Sequence, residues 1–520
     1  MTTVNQERIA KNTLLLYVRM VVVMLVGLYT SRVIIDSLGQ VHYGIYDAVG
    51  SIVLMVAFIS STMSGACQRY YAYELGKGNL EELRKVFSIS LTVFIVMTTL
   101  IVLLAETAGN WFLVHKMDVG GHIDAAKWVF QFSIISFSLY VLRVPYEAMV
   151  VAKEKMKVFA YLSLFEAFAS LGIALILSHT ADDKNQRLIL YAGLMSGIQL
   201  MTFMFYWIYC RFFYQECRFR FSMDKDKFKE VFAYAGWNMI GSCAGAFEKA
   251  GLNLLLNSMY GPLVSAARGV ANKVNSTVTQ LNNNFFMAVR PQIYKSYASG
   301  DINDMHKLVC QSTRLSFFLL MLVILPIMLE VDFILPIWLR GRNVPEMANI
   351  FTKLLILEAL LNCFTEPLAS AAQATGNIRD YKLIIGGTFL LVLPLSYVGL
   401  KFFNLSPASV FVIAIILTLV NQVQRVWFVK KLVNLNVRFY FKNVVLPIAI
   451  VSAISVALSV LAKMWIHSLS FNISWIGNAL VIIVSMLIVC LSFYLFGMFK
   501  TERKHALNIL WNILGIKKKQ

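Results

Sequence analysis

Basic side chains stand in this chain where hydrocarbon would be expected. Arg19, Arg32, Arg143, Lys249, Arg268, Lys273 and Arg425 all fall inside long apolar stretches, where a central Arg or Lys costs at least about 2.5–3.5 kcal/mol. Such residues persist if they pair or line a polar interior. At about 1.5 Å per residue, Arg19 lies roughly 12 Å into its stretch and Lys273 roughly 16 Å into its own, too deep to snorkel. Arg32 and Arg425 fall near stretch ends, where long side chains reach back to the interface. Arg143 precedes Glu147 by one helical turn, the spacing of an intrahelical ion pair. Arginine grips phosphate through a planar fork of donors and lysine supplies a compact charge, so the chemistry on offer is anion binding.

Polar residues recur beside these cations at helical spacing. Arg268, Asn272, Asn275, Thr279 and Asn282 form one stripe, with Lys273, Ser276 and Asn283 alongside; Asn238, Ser242, Lys249, Asn253 and Asn257 form a second; Asp47, Ser51, Ser61 and Gly65 mark a third. The expected binding set is therefore Arg19, Arg32, Arg143, Lys249, Asn253, Arg268, Asn272, Lys273 and Asn275. Asparagine and serine suit sugar hydroxyls, and serve equally as glue between helices. Among the acids, Asp47, Glu358 and Glu366 are candidates for coupling to H+ or Na+. Glu358, Asn362, Glu366 and Ser370 share one face, and pairing with bases of a neighbouring helix is the alternative use of these carboxylates and of Glu166.

The elements that position these groups are membrane spans. Of 520 residues, 58% are hydrophobic and 14% charged, against about 25% charged in soluble domains; the mean hydropathy is +0.67. Apolar segments of about 20 residues, the length that crosses a bilayer core, recur about fourteen times, with expected helices at 12–35, 45–68, 86–107, 127–151, 157–179, 188–210, 231–257, 262–289, 312–336, 348–373, 381–401, 407–429, 443–466 and 473–498. The first is too long for a signal-peptide core and is expected to remain as a span. No polar stretch leaves room for a soluble nucleotide-hydrolysing domain, and no phosphate-loop motif occurs. The net charge of +19 resides largely in short loops, so it speaks for membrane orientation rather than nucleic acid; the heaviest clusters, at Lys153, Lys155 and Lys157, at 211–229 and at Lys517–Lys519, place both termini in the cytoplasm. The seven cysteines lack Cys-x-x-Cys spacing and read as core residues, with no metal or cofactor expected.

One local pattern occurs twice. Gln68-Arg69-Tyr70, Glu74 and Gly78-Asn79-Leu80 are echoed by Val289-Arg290-Pro291, Lys295 and Gly300-Asp301-Ile302; Pro145, Ala152 and Lys157 are echoed by Pro367, Ala374 and Arg379. Six helices fill one period, so the copies share an orientation in the membrane, a recognised transporter symmetry. The expected organisation is an N-lobe at 1–216, an amphipathic cytoplasmic linker at 217–230 carrying Arg218-Phe219-Arg220-Phe221, a C-lobe at 231–433, and two further helices with a basic tail at 434–520.

Ser31-Arg32-Val33-Ile34 with Leu38-Gly39, Tyr43-Gly44-Ile45-Tyr46, and Arg69 followed by Glu74-Leu75-Gly76-Lys77-Gly78-Asn79 resemble the openings of polysaccharide biosynthesis flippases, the O-antigen and capsule branch of the multidrug, oligosaccharidyl-lipid and polysaccharide exporter superfamily. The resemblance implies an all-α, V-shaped transporter of two six-helix lobes plus two helices, with a cationic lumen that opens alternately to each side. It also implies translocation of a polyprenyl-diphosphate-linked oligosaccharide to the outer leaflet of a bacterial inner membrane. Membrane lipids and polysaccharide polymerase machinery are the expected partners. With the inside negative, carrying about two negative charges outward is favoured by roughly 4.6 kcal/mol per 100 mV, so the membrane potential alone is an adequate drive. A peptidoglycan-precursor flippase and a cation-coupled drug exporter are the alternatives of the same superfamily. A membrane glycosyltransferase or polymerase is the alternative of another class; Asp224-Lys225-Asp226 resembles a metal-binding pair, but its short loop cannot fold a sugar-nucleotide domain.

Overall fold

The structure, a computed structural model, describes residues 3–54, 57–115, 122–177, 180, 183–219, 225–338, 344–468, 474–499 and 502–503. These residues form helices and short connections. In chain order they are α1 (Thr3–Leu54), α2 (Ala57–Lys77), α3 (Leu80–Leu104), α4 (Asn110–His115), α5 (Ile123–Ala152), α6 (Met156–Leu177), α7 (Lys184–Phe213), α8 (Lys225–Ala298), α9 (Ile302–Leu329), α10 (Val331–Trp338), α11 (Ala348–Leu361), α12 (Thr365–Ala374), α13 (Arg379–Phe402), α14 (Ser409–Val433), α15 (Val437–Tyr440), α16 (Leu446–Ser468) and α17 (Ser474–Ser492).

Among the described residues ten helical stretches are long and apolar enough to cross a membrane. They coincide with ten of the expected spans, and a turn of π-helix at Ala105–Gly109 joins α3 to α4 within one of them. The remaining four expected spans lie in α1, α2 and α8, where the boundaries differ from the sequence expectation. The break anticipated between 35 and 45 is a single residue, Gly39, whose φ of 77° and ψ of 162° interrupt α1. Only glycine adopts this backbone readily. Before it, Arg19 meets Ser163 of α6; after it, Tyr46 meets Tyr191 of α7. α6 and α7 are consecutive helices packed together, so α1 turns back on itself at Gly39.

The break anticipated at 258–261 is likewise not a loop, because helical backbone runs through all 74 residues of α8. A straight helix would separate residues 249 and 268 by about 28 Å. Yet the Arg268 guanidinium donates to the Lys249 carbonyl at 3.0 Å. The chain therefore reverses between them, and α8 is two arms, as two spans at 231–257 and 262–289 require.

The repeat is visible in the turns. Gly78, with φ of 73°, leads into Asn79, whose side chain accepts from the Glu82 amide to cap α3; Gly300, with φ of 82°, leads into Asp301, which accepts from the Asp304 amide to cap α9. Glu154 and Gly376 follow α5 and α12 with positive φ in the same way. Each pair is separated by the repeat offset, so the same left-handed exit and side-chain cap recur where the sequence pattern recurs.

Contacts divide the chain into two compact units, one of residues 11–239 and one of residues 240–520 together with 1–10. In the first, α5 packs against α2, α3 and α7, with Phe87, Phe94, Phe130 and Tyr146 buried. In the second, α9 packs against α11, α12 and α17, and α14 against α11, α12 and α13. Leu252, Leu256, Ala267 and Ala271 of the two α8 arms join Phe351, Val392 and Phe411 in one apolar core.

Candidate functional site

Among the charge clusters of the described residues, three bring together expected site residues, one in the first unit and two in the second. In the first unit α5 carries Arg143, buried at 8% exposure. It forms an ion pair with Glu147 at 3.3 Å, one turn along, and another with Glu166 of α6. Arg19 of α1 donates to the Ser163 hydroxyl, stands 4.5 Å from the centre of the Phe159 ring, and lies within electrostatic range of Glu147 and Glu166. Tyr140 and Tyr206 present their rings to Arg143 at 5.3 and 5.6 Å. Two cations thus meet two carboxylates. The sequence spacing identified Glu147, whereas Glu166 is supplied by a different helix.

In the second unit, Arg268 is buried at 4% exposure. Beyond its bond to the Lys249 carbonyl, its Nε and Nη1 have no hydrogen-bond partner among the described residues. Glu248 and Glu358 lie within electrostatic range of it and of each other, and Thr418 donates to Glu358 at 3.4 Å. Along the second α8 arm Asn272 and Lys273 are exposed, Asn275 is half-buried and Asn282 is buried; Asn253 and the Lys249 side chain are exposed on the first arm. The stripes expected to be wet are therefore accessible along much of their length, with Arg268 and Asn282 buried at the two ends of the second arm's stripe. Glu248 joins Glu358 in this group; the sequence offered it only as a neighbour of Lys249, and adjacent helix positions do not face each other well.

The third cluster was largely missed. Glu366 of α12 is held by Arg290 of α8 at 2.6 Å, so this carboxylate of the expected coupling set is already engaged. Lys382 of α13 and Arg425 of α14 lie within electrostatic range of the same Glu366. Arg425 does not snorkel from a helix end: it is buried at 5% exposure and donates to the Tyr381 hydroxyl. Lys382 escaped notice as a first-turn residue, and Arg290 was noticed only as part of the repeat. The side chains of Arg32, Asp47, Asn257 and Asp224–Asp226, and the tail from 504, lie outside the described residues.

Residues 239–398 match the MatE family model. This segment contains Glu248, Arg268, Arg290, Glu358, Glu366 and Lys382. No curated protein matches the chain. Among solved structures, a mutant MATE protein superposes with a TM-score of 0.71 at 13% identity, over 82% of this chain and 96% of that one. An outward-facing multidrug resistance MATE family transporter of the MOP superfamily gives 0.68 at 12% identity, over 82% and 95%. A MOP superfamily transporter from Pyrococcus furiosus, described as having a binding pocket of reverse polarity, gives 0.68 at 12%, over 82% and 95%. The fold is that of the MATE transporters.

Proposed function

We propose that this multi-pass membrane protein is a flippase, moving an anionic polyprenyl-diphosphate-linked oligosaccharide repeat unit, of the O-antigen or capsule kind, from the cytoplasmic to the outer leaflet of a bacterial inner membrane. The observation that carries the reading is Arg268: a guanidinium buried in a membrane bundle with two donor nitrogens unfilled, at the head of an accessible stripe of Asn272, Lys273 and Asn275. A fixed cation with spare donors favours a phosphate, and amides one turn away suit sugar hydroxyls. The MATE fold supports transport as the activity, and the description of the Pyrococcus furiosus protein indicates that pocket polarity varies within that fold. In this reading both termini are cytoplasmic, the lobes alternate access, and the membrane potential or an ion gradient supplies the drive.

A second reading, cation-coupled drug export, is favoured by the neighbouring carboxylates Glu248 and Glu358, which suit a cation. One experiment separates the two. A deletion strain is complemented with wild type, Arg19→Ala, Lys249→Ala, Arg268→Ala, Lys273→Ala or Glu358→Gln at matched membrane levels, and both leaflet distribution of lipid-linked oligosaccharide and drug sensitivity are measured. The flippase reading expects accumulation in the cytoplasmic leaflet in the deletion and at least tenfold reduced export in Arg268→Ala. Normal translocation in the deletion, with drug sensitivity appearing there and in Glu358→Gln, would replace it with the exporter.

A further inference from the structure

We infer that Arg290, Lys382 and Arg425 form a phosphate-binding site within the second unit, built to receive the phosphate or diphosphate of a lipid headgroup. In the first unit Arg19 and Arg143 face Glu147 and Glu166, so cations and carboxylates balance. Here three cations surround one carboxylate, Glu366, and that carboxylate is committed to Arg290 at 2.6 Å. Lys382 makes no hydrogen bond or ion pair among the described residues, and Arg425 Nε has no partner. Two positive charges remain for a ligand to neutralise, which matches a phosphate or diphosphate group.

Position and access fit the same ligand. Lys382 is the fourth residue of α13, while Arg425 and Arg290 stand eight residues before the ends of α14 and α8. At about 1.5 Å per residue, the cluster lies roughly 5 to 12 Å inside those helix ends, all three on the same side of the second unit's helices. The side chains of Arg290 and Glu366 keep 25% and 30% of their surface exposed while Arg425 is buried at 5%, so an incoming group would enter from the Arg290 side. Lys382 is also given room: a Cβ built on Gly241 would lie 2.9 Å from its Cδ. Gly241 thus lets the aliphatic stem lie flat against α8, with the ammonium within electrostatic range of Arg425 and Glu366. An ammonium has three donors and Arg425 Nε a fourth, an arrangement suited to several phosphate oxygens.

The phosphate chemistry stands on this geometry; the polyprenyl carrier as its source rests on the flippase reading. The test uses the full-length protein in phosphatidylcholine nanodiscs, titrated with polyprenyl diphosphate, phosphatidylglycerol or uncharged polyprenol and read by native mass spectrometry and thermal midpoint. Wild type should bind polyprenyl diphosphate over polyprenol, and Lys382→Gln and Arg425→Gln should each weaken that binding at least tenfold, with Gly241→Ala weakening it less. Without ligand, Lys382→Gln should keep or raise the midpoint, because it removes an uncompensated charge; a structural lysine would lower it. Equal binding of phosphatidylglycerol, lost in the same variants, supports the site with bulk anionic lipid as occupant. Unchanged binding in folded Lys382→Gln and Arg425→Gln, or no preference over polyprenol, overturns it. Normal translocation in the deletion strain would remove the flippase reading while leaving this binding result intact.

Discussion

Arg143 illustrates how a single charge is kept inside a membrane. Its guanidinium is shared between Glu147 on its own helix and Glu166 on the next, and Arg19 approaches the same carboxylates from α1. Removing one member of a buried ion pair leaves its partner uncompensated, at a cost of about 3–5 kcal/mol, whereas removing the pair together costs far less. Arg143→Ala should therefore lower the thermal midpoint of the purified protein sharply, and Arg143→Met combined with Glu147→Gln and Glu166→Gln should recover most of it. Equal loss in both variants would assign the damage to packing instead. The part of this cluster within one helix was readable from the Arg143–Glu147 spacing. For Glu166 the sequence offered pairing with a neighbouring helix but not which base, because nothing local relates residues 23 positions apart.

At the scale of elements, turns and reversals matter more than helices. Gly39 makes α1 two arms through a backbone conformation that side chains resist, at about 1–3 kcal/mol for a residue forced into it. A Cβ there meets only Lys184 Nζ at 3.6 Å, an ordinary contact. The cost of Gly39→Ala is thus expected to be that backbone term alone, read as a lower thermal midpoint, while Gly245→Ala, with nothing within 4 Å of a new Cβ, should be neutral or slightly stabilising. Gly78-Asn79 and Gly300-Asp301 were legible because a glycine followed by a capping side chain announces a turn and helix start, and the repeat announced it twice. The fold-back of α8 was expected from its two apolar spans, but its form was not: helical backbone continues around the reversal, and only the bond from Arg268 to the Lys249 carbonyl establishes that the arms run side by side.

For the whole molecule, the division between the two contact units falls within α8, between residues 239 and 240, and the MatE match begins at 239. An even number of spans returns the chain to its starting side. Protease or antibody access to tags at the two termini of sealed, oriented vesicles should therefore be identical, and opposite access would mean that one expected span does not cross. Membrane residence, the span sequence and the repeat were already determined by residue order, since hydropathy, turn glycines and capping side chains act over a few positions and need no distant partner. Which intramembrane charges are compensated was decided only by tertiary structure. Glu166 reaches Arg143 from another helix, Glu366 reaches Arg290 across 76 positions, and Lys382 is left with charge to spare because Glu366, the carboxylate within its range among the described residues, is taken by Arg290. Coulombic pairing depends on distance in space, and distance along the chain predicts it only within a helical turn or two.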